Sequence, residues 1–227
     1  MLSLPDFTQF FDANILVGLI VTAAFIVLIA DWRVALFALL AQYLLAATLL
    51  AGLVPLPMAL VRVVSGAFAA TILYFTFRRA EDNYRRALLD AEDAAARLVV
   101  RELYRLQVFV VGLPFRVFAL ALVAVGIIGI ASSMTFLGLS ADILFSGLWL
   151  IAAGVLVAIL SREVLRLGLG ILMFTSGFVI LETATQSSLL LYGLINISDL
   201  LLALVIANLA AFAPDSSGLR QRRGEIR

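Results

Sequence analysis

Long apolar stretches separated by short charged or proline-containing turns constrain the fold of this chain more than any other feature. A helix needs about 20 apolar residues to cross a hydrocarbon core of about 30 Å, and a helix satisfies its own backbone N–H and C=O groups there. Hydropathy therefore predicts an all-α fold, a polytopic membrane helix bundle of about seven transmembrane helices. The predicted spans are residues 14–30, 34–51, 58–77, 108–131, 143–160, 164–181 and 189–212.

The composition excludes several classes of function. Apolar residues make up 64% of the 227 residues and charged residues 14%, whereas soluble domains carry about 45–50% and about 25%. A net charge of +1 gives no indication of nucleic-acid binding. The absence of Cys and His argues against disulfides, haem, iron–sulfur clusters and zinc sites. We therefore expect no cofactor and no metal.

The choice of basic residue narrows the possible proton chemistry. All 16 basic residues are Arg, and Arg does not release its proton in proteins. Without His or Lys, the chain lacks the cationic side chains that commonly relay protons. Carboxyl groups are the remaining candidates for a proton relay, because an apolar environment disfavours their charged form and lets them exchange protons near neutral pH.

The distribution of Arg also predicts the orientation of the bundle. The connections after spans 1, 3 and 5 and the C-terminal tail carry most of the arginines, whereas the connections after spans 2, 4 and 6 carry none. Arg-rich connections stay on the cytoplasmic side of a membrane. We therefore expect the N-terminus outside and the C-terminus inside.

The spans divide the chain into five segments. Residues 78–107 are rich in Ala, Leu, Glu and Arg and lack Gly and Pro, which favours a cytoplasmic charged helix. This helix either docks a peripheral partner subunit or only connects the chain to the fourth span. The other segments are an N-terminal three-helix membrane unit at 1–77, transmembrane helix 4 with an outer loop at 108–142, a C-terminal three-helix membrane unit at 143–213 and a basic cytoplasmic tail at 214–227.

Asp199 is the one charged residue of the last span and lies near its middle. An Asp at the centre of a membrane helix costs about 2.5–3.5 kcal/mol on insertion scales, and such residues usually face other helices or water. At 100° per residue, Asn196, Ala203, Ala207 and Ala210 lie on the same face, and small residues let a neighbouring helix approach closely. We predict that Asp199 is a proton-relay residue; an inter-helix hydrogen bond is the alternative.

Polar residues near Asp199, or at the same depth in other spans, are candidates to support it. Asn196 lies one turn away and Ser198 directly precedes it. Gln42 and Tyr43 lie in the middle of the second span. Each of these two could hold a water molecule or form a hydrogen bond with another helix.

Two charged residues lie near the outer ends of spans. Glu182 follows the sixth span, where we expect a solvated loop acid, with a supporting place in the proton path as the alternative. Arg62 lies one turn into the third span, and we expect it to snorkel outward or to pair with an acid of a neighbouring subunit. No catalytic motif is present. Glycines in the fourth and sixth spans predict packing faces, at Gly112, Gly126, Gly129, Gly168, Gly170 and Gly177.

The last two spans resemble a known family of membrane subunits. The run SREVLRLGLGILMFTSGF at 161–178, followed by INISDLLLALVIANL at 195–209, resembles the last helices of component E of hydrogenase-4-type membrane complexes. That subunit is related to the K-type subunit of respiratory complex I and to the C-type subunit of multisubunit cation/proton antiporters. The residues that fit the pattern are Ser161, Arg162, Leu165, Arg166, Leu172, Met173 and Asp199 in these spans, with Arg33, Gln42, Phe77 and Arg78 in the first half.

Two departures separate this chain from the family pattern. The family has a Glu directly after the Leu-Met pair of the penultimate span, where this chain has Phe174. The family also has a Lys in the third span, and this chain has no Lys. Of the intramembrane ionisable residues of the family, only Asp199 matches in position.

The resemblance implies an integral-membrane subunit of a redox-linked proton or cation pumping complex in the cell (inner) membrane. Its partners would be antiporter-like and K-like membrane subunits, with a possible peripheral subunit at 78–107. The chain would not be catalytic alone. A structural membrane adaptor that anchors partner subunits without conducting ions is the alternative, and a free-standing transporter is the weakest interpretation.

Overall fold

The computed structural model of the chain describes residues 7–89, 112–133, 139–185 and 188–211. Regular secondary structure in these ranges is entirely helical, which confirms the all-α prediction. The helices are α1 Phe7–Leu28, α2 Trp32–Leu50, α3 Leu56–Leu89, α4 Leu113–Ser133, α5 Ala141–Leu160, α6 Val164–Thr185 and α7 Leu189–Ala211.

Six of the seven helices, α2 to α7, are long and apolar enough to cross a membrane, and α1 adds a shorter apolar stretch, Asn14–Leu28. The chain is thus a multi-pass membrane protein with a helical-bundle fold. α3 packs against α2 and α7, and α6 packs against α2, α5 and α7. Four helices, α2, α3, α6 and α7, therefore surround one interior region of the bundle.

Glycines allow α5 and α6 to approach to backbone contact. A Cβ atom at Gly154 would lie 2.5 Å from the carbonyl oxygen of Gly170, and one at Gly177 would lie 2.5 Å from the carbonyl oxygen of Gly147. Backbone atoms cannot move aside as a flexible side chain can. The predicted packing role of the α6 glycines is confirmed, since Gly168 likewise faces Ile206 of α7 without room for a Cβ.

The glycines of α4 do not form such a face within the described residues. Among the described residues, nothing lies within 4 Å of a Cβ atom built at Gly126, and α4 is the least buried of the six long helices. The predicted packing face on the fourth span is therefore wrong for the described part of this chain.

Two buried arginines bind the C-terminal end of α1. Arg116 of α4 donates to the carbonyl oxygens of Val27 and Leu28 at 3.1 and 2.8 Å, and Arg166 of α6 donates to the carbonyl oxygens of Ile29 and Ala30. The last carbonyls of a helix have no intrahelical donors and carry partial negative charge, so cations are favourable there. These contacts fix α4 and α6 to one end of α1.

The charged segment predicted at 78–107 begins as a continuation of the third span. α3 has 34 residues, about 51 Å at 1.5 Å per residue, so it exceeds the thickness of a hydrocarbon core of about 30 Å. Residues 78–89 form its last turns. Residues 90–107, which carry the rest of the predicted docking helix, and the tail at 214–227 lie outside the described residues.

Candidate functional site

α7 presents its polar residues on its buried face. Asn196 and Asp199 are buried together with Tyr192, Ala203 and Ile206. The opposite face, with Leu201, Val205 and Leu209, is more than half exposed. The face assigned to Asp199 from the helical wheel is confirmed, and the carboxyl group points into the region between α2, α3, α6 and α7.

Arg62 of α3 forms an ion pair with Asp199 in this region. The guanidinium Nη1 lies 2.6 Å from Oδ2 of Asp199, and both side chains are 0% exposed. The expectation that Arg62 snorkels outward or pairs with another subunit is therefore wrong. A guanidinium at membrane depth needs a counter-charge, and α3 and α7 are neighbours, so the Asp199 carboxylate supplies it within the same chain.

Three further side chains extend the pair into a hydrogen-bond network. Nη2 of Arg62 donates to Oγ of Ser176 at 2.6 Å, and Nη1 also donates to Oδ1 of Asn196 at 3.3 Å. Ser65, one turn after Arg62, donates to the same oxygen of Asn196 at 2.8 Å. Each helix thus contributes polar groups to a shared network, which gives the charges local compensation in the interior.

Tyr43 of α2 contacts both members of the pair. Its hydroxyl donates to Oδ2 of Asp199 at 2.9 Å, and the Cζ atom of Arg62 lies 4.4 Å from the centre of its ring. This distance is within the range of a cation–π interaction. Gly66 makes the arrangement possible, because a Cβ atom at that position would overlap the Tyr43 ring.

The network leaves specific atoms without partners. Oδ1 of Asp199 and Nε of Arg62 are buried, and neither has a hydrogen-bond partner among the described residues. All of the donors to Asp199 are on Oδ2, from Tyr43 and Arg62. A carboxylate has about four lone-pair sites, so Asp199 retains acceptor capacity on Oδ1.

The remaining candidate residues from the sequence are not part of this network. Gln42 is 0% exposed, and neither atom of its amide has a partner among the described residues. Ser198 is half-buried and shows no side-chain hydrogen bond in the described ranges. The structure thus brings together Tyr43, Asn196 and Asp199 and leaves Gln42 and Ser198 apart from them.

Glu182 does not lie in a solvated loop. α6 continues to Thr185, and Glu182 is 8% exposed, so the expected loop acid is wrong. Both carboxyl oxygens are buried without a well-formed hydrogen bond among the described residues, and the Thr183 hydroxyl and the Ser188 backbone N–H are the donors near them. Glu182 lines a cavity of about 170 Å³ together with residues that include Met58, Thr183 and Tyr192.

Tyr192 connects the surroundings of Glu182 to the ion pair. Its hydroxyl donates to the carbonyl oxygen of Met58 at 2.9 Å, and its own carbonyl accepts a 2.8 Å hydrogen bond from the amide of Asn196. Asn196 in turn accepts from Arg62. Tyr192, which is part of the lining of the Glu182 cavity, is therefore hydrogen-bonded directly to the network around Asp199.

The site residues predicted from the sequence did not include Arg62, Ser65 or Ser176. Spacing is a signal for the first two: Arg62 and Ser65 on α3 are three residues apart, as are Asn196 and Asp199 on α7. Residues three apart share a helix face, so each helix carries a polar pair suited to the other. Which helices are neighbours depends on contacts distant in sequence, and the spans alone do not reveal it.

The site brings buried charges and hydrogen-bonding groups together within the described residues. No cluster of three or more carboxylate, His or Cys side chains occurs in the described ranges. The groups that the described network around Asp199 offers are one carboxylate, one guanidinium, one phenol, two hydroxyls and one amide. Comparison of the chain with protein-family models, with curated proteins and with solved structures finds no match.

Proposed function

We propose that this chain is an integral-membrane subunit of a redox-linked proton or cation pumping complex of the hydrogenase-4 or complex-I-related type, in the cell membrane. In this proposal Asp199 is a proton-relay residue at the centre of the subunit. The proposal rests on one observation above all: Asp199 is fully buried at mid-span and retains a vacant oxygen, Oδ1, beside a network of donors.

The pairing of Asp199 with Arg62 gives such a relay a physical coupling. In the observed ion pair, Nη1 of Arg62 lies 2.6 Å from Oδ2 of Asp199, and the two charges compensate each other. A proton that arrives on Asp199 neutralises the carboxylate and leaves the guanidinium buried without a counter-charge, which is unfavourable by several kcal/mol. Proton uptake by Asp199 therefore requires a movement of Arg62 or the arrival of another negative charge. A pump needs this kind of link between proton position and conformation.

Tyr43 and Asn196 support the relay from two sides. Tyr43 donates to the oxygen that Arg62 also holds, so its hydroxyl can keep Asp199 oriented when the guanidinium withdraws. Asn196 connects the pair to Tyr192 and the cavity beside Glu182. This is the side on which we place the outer entrance, following the distribution of Arg along the chain.

Proton uptake by inverted membrane vesicles tests the proposal. The vesicles are energised with NADH, formate or hydrogen, and acidification of the lumen is followed with an acridine dye. The informative variant is Asp199→Asn combined with Arg62→Gln, because it removes both charges and leaves no unpaired ion in the interior. The matched control is Arg79→Gln combined with Asp142→Asn, which removes one exposed charge of each sign.

The proposal expects the neutral-pair variant to assemble with its partner subunits and to lose most of the dye response, whereas the control keeps it. A neutral-pair variant that acidifies the vesicles at the wild-type rate contradicts the relay. A tagged wild-type chain that purifies alone and carries ion flux in liposomes contradicts membership of a complex and favours a free-standing transporter.

A structural adaptor is the second candidate, and the closed ion pair favours it. Arg62 and Asp199 join α3 to α7 through hydrogen bonds that also reach α2 and α6, and such an arrangement stabilises one geometry of the bundle. In this case residues 78–107 would anchor a peripheral subunit. Deletion of 78–107 should then release that subunit, and retention of the intact complex would count against the adaptor.

A further inference from the structure

A groove of about 710 Å³ lies between α2 and the second half of α3. Its volume is in the range of small-molecule binding sites. Its two ends differ in chemistry. One end is apolar and is lined by residues such as Phe37, Leu40 and Phe75, which are 74%, 37% and 57% exposed. The other end carries charged residues of the last turns of α3 and the first turn of α2.

Three arginines gather at the charged end of the groove. Arg33 and Arg85 share the carboxylate of Glu81, with N–O distances of 3.3 and 2.8 Å. Arg78 is exposed and has no acid within ion-pairing distance among the described residues. With Asp82 as the second acid of the lining, this end keeps an excess of positive charge.

Aromatic rings mark the boundary between the two ends. Trp32 stacks on Phe77 at a centroid distance of 5.4 Å and contacts Tyr74 at 5.7 Å. Its indole N–H donates to Glu81 at 3.2 Å, so the ring is held in place. Trp and Tyr concentrate at the level of the lipid headgroups in membrane proteins. The groove thus has the layers of half a bilayer: an apolar part, an aromatic boundary and a basic part.

We propose that this groove binds one anionic glycerophospholipid, with its phosphate among Arg33, Arg78 and Arg85 and an acyl chain along Phe37 and Leu40. Charge complementarity argues for this occupant, because basic pockets between membrane helices on the cytoplasmic side suit anionic headgroups. A purely apolar helix of a partner would leave Arg78 without a counter-charge. The inference is independent of the role of Asp199.

Quenching of Trp32 fluorescence measures occupancy directly. The chain has two Trp residues, Trp32 and Trp149, so the Trp149→Phe variant leaves Trp32 as the single fluorescent reporter. Trp149 is 3% exposed and lies outside the groove. It is reconstituted in phosphatidylcholine vesicles with an increasing fraction of phosphatidylglycerol that carries brominated acyl chains. The same fractions of brominated phosphatidylcholine give the reference. Native mass spectrometry of the wild-type chain, which counts retained phosphatidylglycerol, gives a second measurement without substitutions at Trp.

The site predicts that brominated phosphatidylglycerol quenches Trp32 at lower fractions than brominated phosphatidylcholine. Arg78→Gln should weaken this preference about fivefold, the factor that corresponds to about 1 kcal/mol per basic residue near an anionic surface. The control is Arg79→Gln, which removes the same charge from the neighbouring exposed position outside the groove. It should leave the preference unchanged.

Three results would overturn the proposal. Equal quenching by the two lipids would mean that the groove contacts bulk bilayer lipid without preference for an anionic headgroup. An equal loss of preference in Arg78→Gln and Arg79→Gln would mean a diffuse surface attraction and no bound lipid. Absence of quenching by either lipid would mean that a protein segment covers the groove, either residues 90–107 of this chain or another subunit.

Discussion

The guanidinium of Arg62 and the carboxylate of Asp199 meet at 2.6 Å with neither side chain exposed. The two residues come from α3 and α7, which are 137 positions apart in sequence at this contact. Their charges cancel, and hydrogen bonds from α2 and α6 complete the surroundings. The interior between α2, α3, α6 and α7 therefore contains a neutral polar centre, and both its stability and its chemistry depend on this pair.

A double-mutant cycle on the pair should show strong coupling. Arg62→Met alone leaves Asp199 as an unpaired buried charge, and removal of one partner of a buried pair costs about 3–5 kcal/mol. Arg62→Met combined with Asp199→Leu should cost less than the sum of the single variants, with a coupling energy near the upper end of about 0.5–3 kcal/mol. Thermal unfolding in detergent measures each member of the cycle. Additive effects of the two substitutions would show that the charges do not interact.

Tyr43→Phe tests the hydrogen bond to Asp199 and leaves the ring that faces Arg62 in place. Loss of a hydrogen bond to a charged acceptor should lower the free energy of unfolding by about 1.5–3 kcal/mol. Tyr192→Phe is the matched control, because its hydroxyl donates to a neutral carbonyl at the same distance of 2.9 Å. The control should cost only about 0.5–1.5 kcal/mol. The reverse order of the two variants would argue against a charged carboxylate at Asp199.

Gly154→Ala should separate α5 from α6. The new methyl group would lie 2.5 Å from the carbonyl oxygen of Gly170, and overpacking of this kind costs about 1–3 kcal/mol. Gly126→Ala is the control, because nothing lies within 4 Å of its Cβ position among the described residues. Ala favours a helix over Gly by about 0.8–1.0 kcal/mol, so the control should be neutral or stabilising. Equal losses of melting temperature in the two variants would contradict the close approach of α5 and α6.

Much of this architecture follows from local sequence. Each of the seven predicted apolar spans overlaps one of the seven helices in the described ranges, because length and hydropathy act within one segment. The buried face of α7 also follows from a periodicity that one segment contains. The end of α6 does not follow from hydropathy, because the helix continues past its apolar stretch and carries Glu182 into the interior.

Prediction of the polar centre requires knowledge of which helices are neighbours, and individual spans do not contain it. Asp199 is recognisable alone, because a charge in an apolar span is expensive. The role of Arg62 becomes visible only when α3 is placed beside α7. Gly126 of α4 shows that a glycine pattern alone does not predict a packing face, since no described residue lies within 4 Å of its Cβ position.

Glu182→Gln should raise the stability of the bundle or leave it unchanged at pH 7. The carboxyl oxygens of Glu182 are buried, have no cationic partner among the described residues and form no well-formed hydrogen bond with the nearby Thr183 hydroxyl or Ser188 backbone N–H, and an unpaired buried charge is unfavourable. The amide of Gln has nearly the same shape and no charge. Asp142→Asn is the contrasting control, because Asp142 lies exposed in the first turn of α5, where a negative charge favours the helix. The control should lose stability slightly. A marked loss in Glu182→Gln would reveal a cation or a donor bound to the carboxylate.

Infrared difference spectroscopy of energised membrane vesicles tests the proton-relay role of Asp199 most directly. The spectra before and after addition of the electron donor are subtracted, and the carbonyl stretch of a protonated carboxylic acid is followed. A proton-relay role of Asp199 predicts a carboxylic acid band that appears during turnover, is absent in Asp199→Asn and changes frequency in Asp199→Glu. A wild-type spectrum with the same carboxylic acid bands as that of Asp199→Asn, while the vesicles still take up protons, would contradict the account.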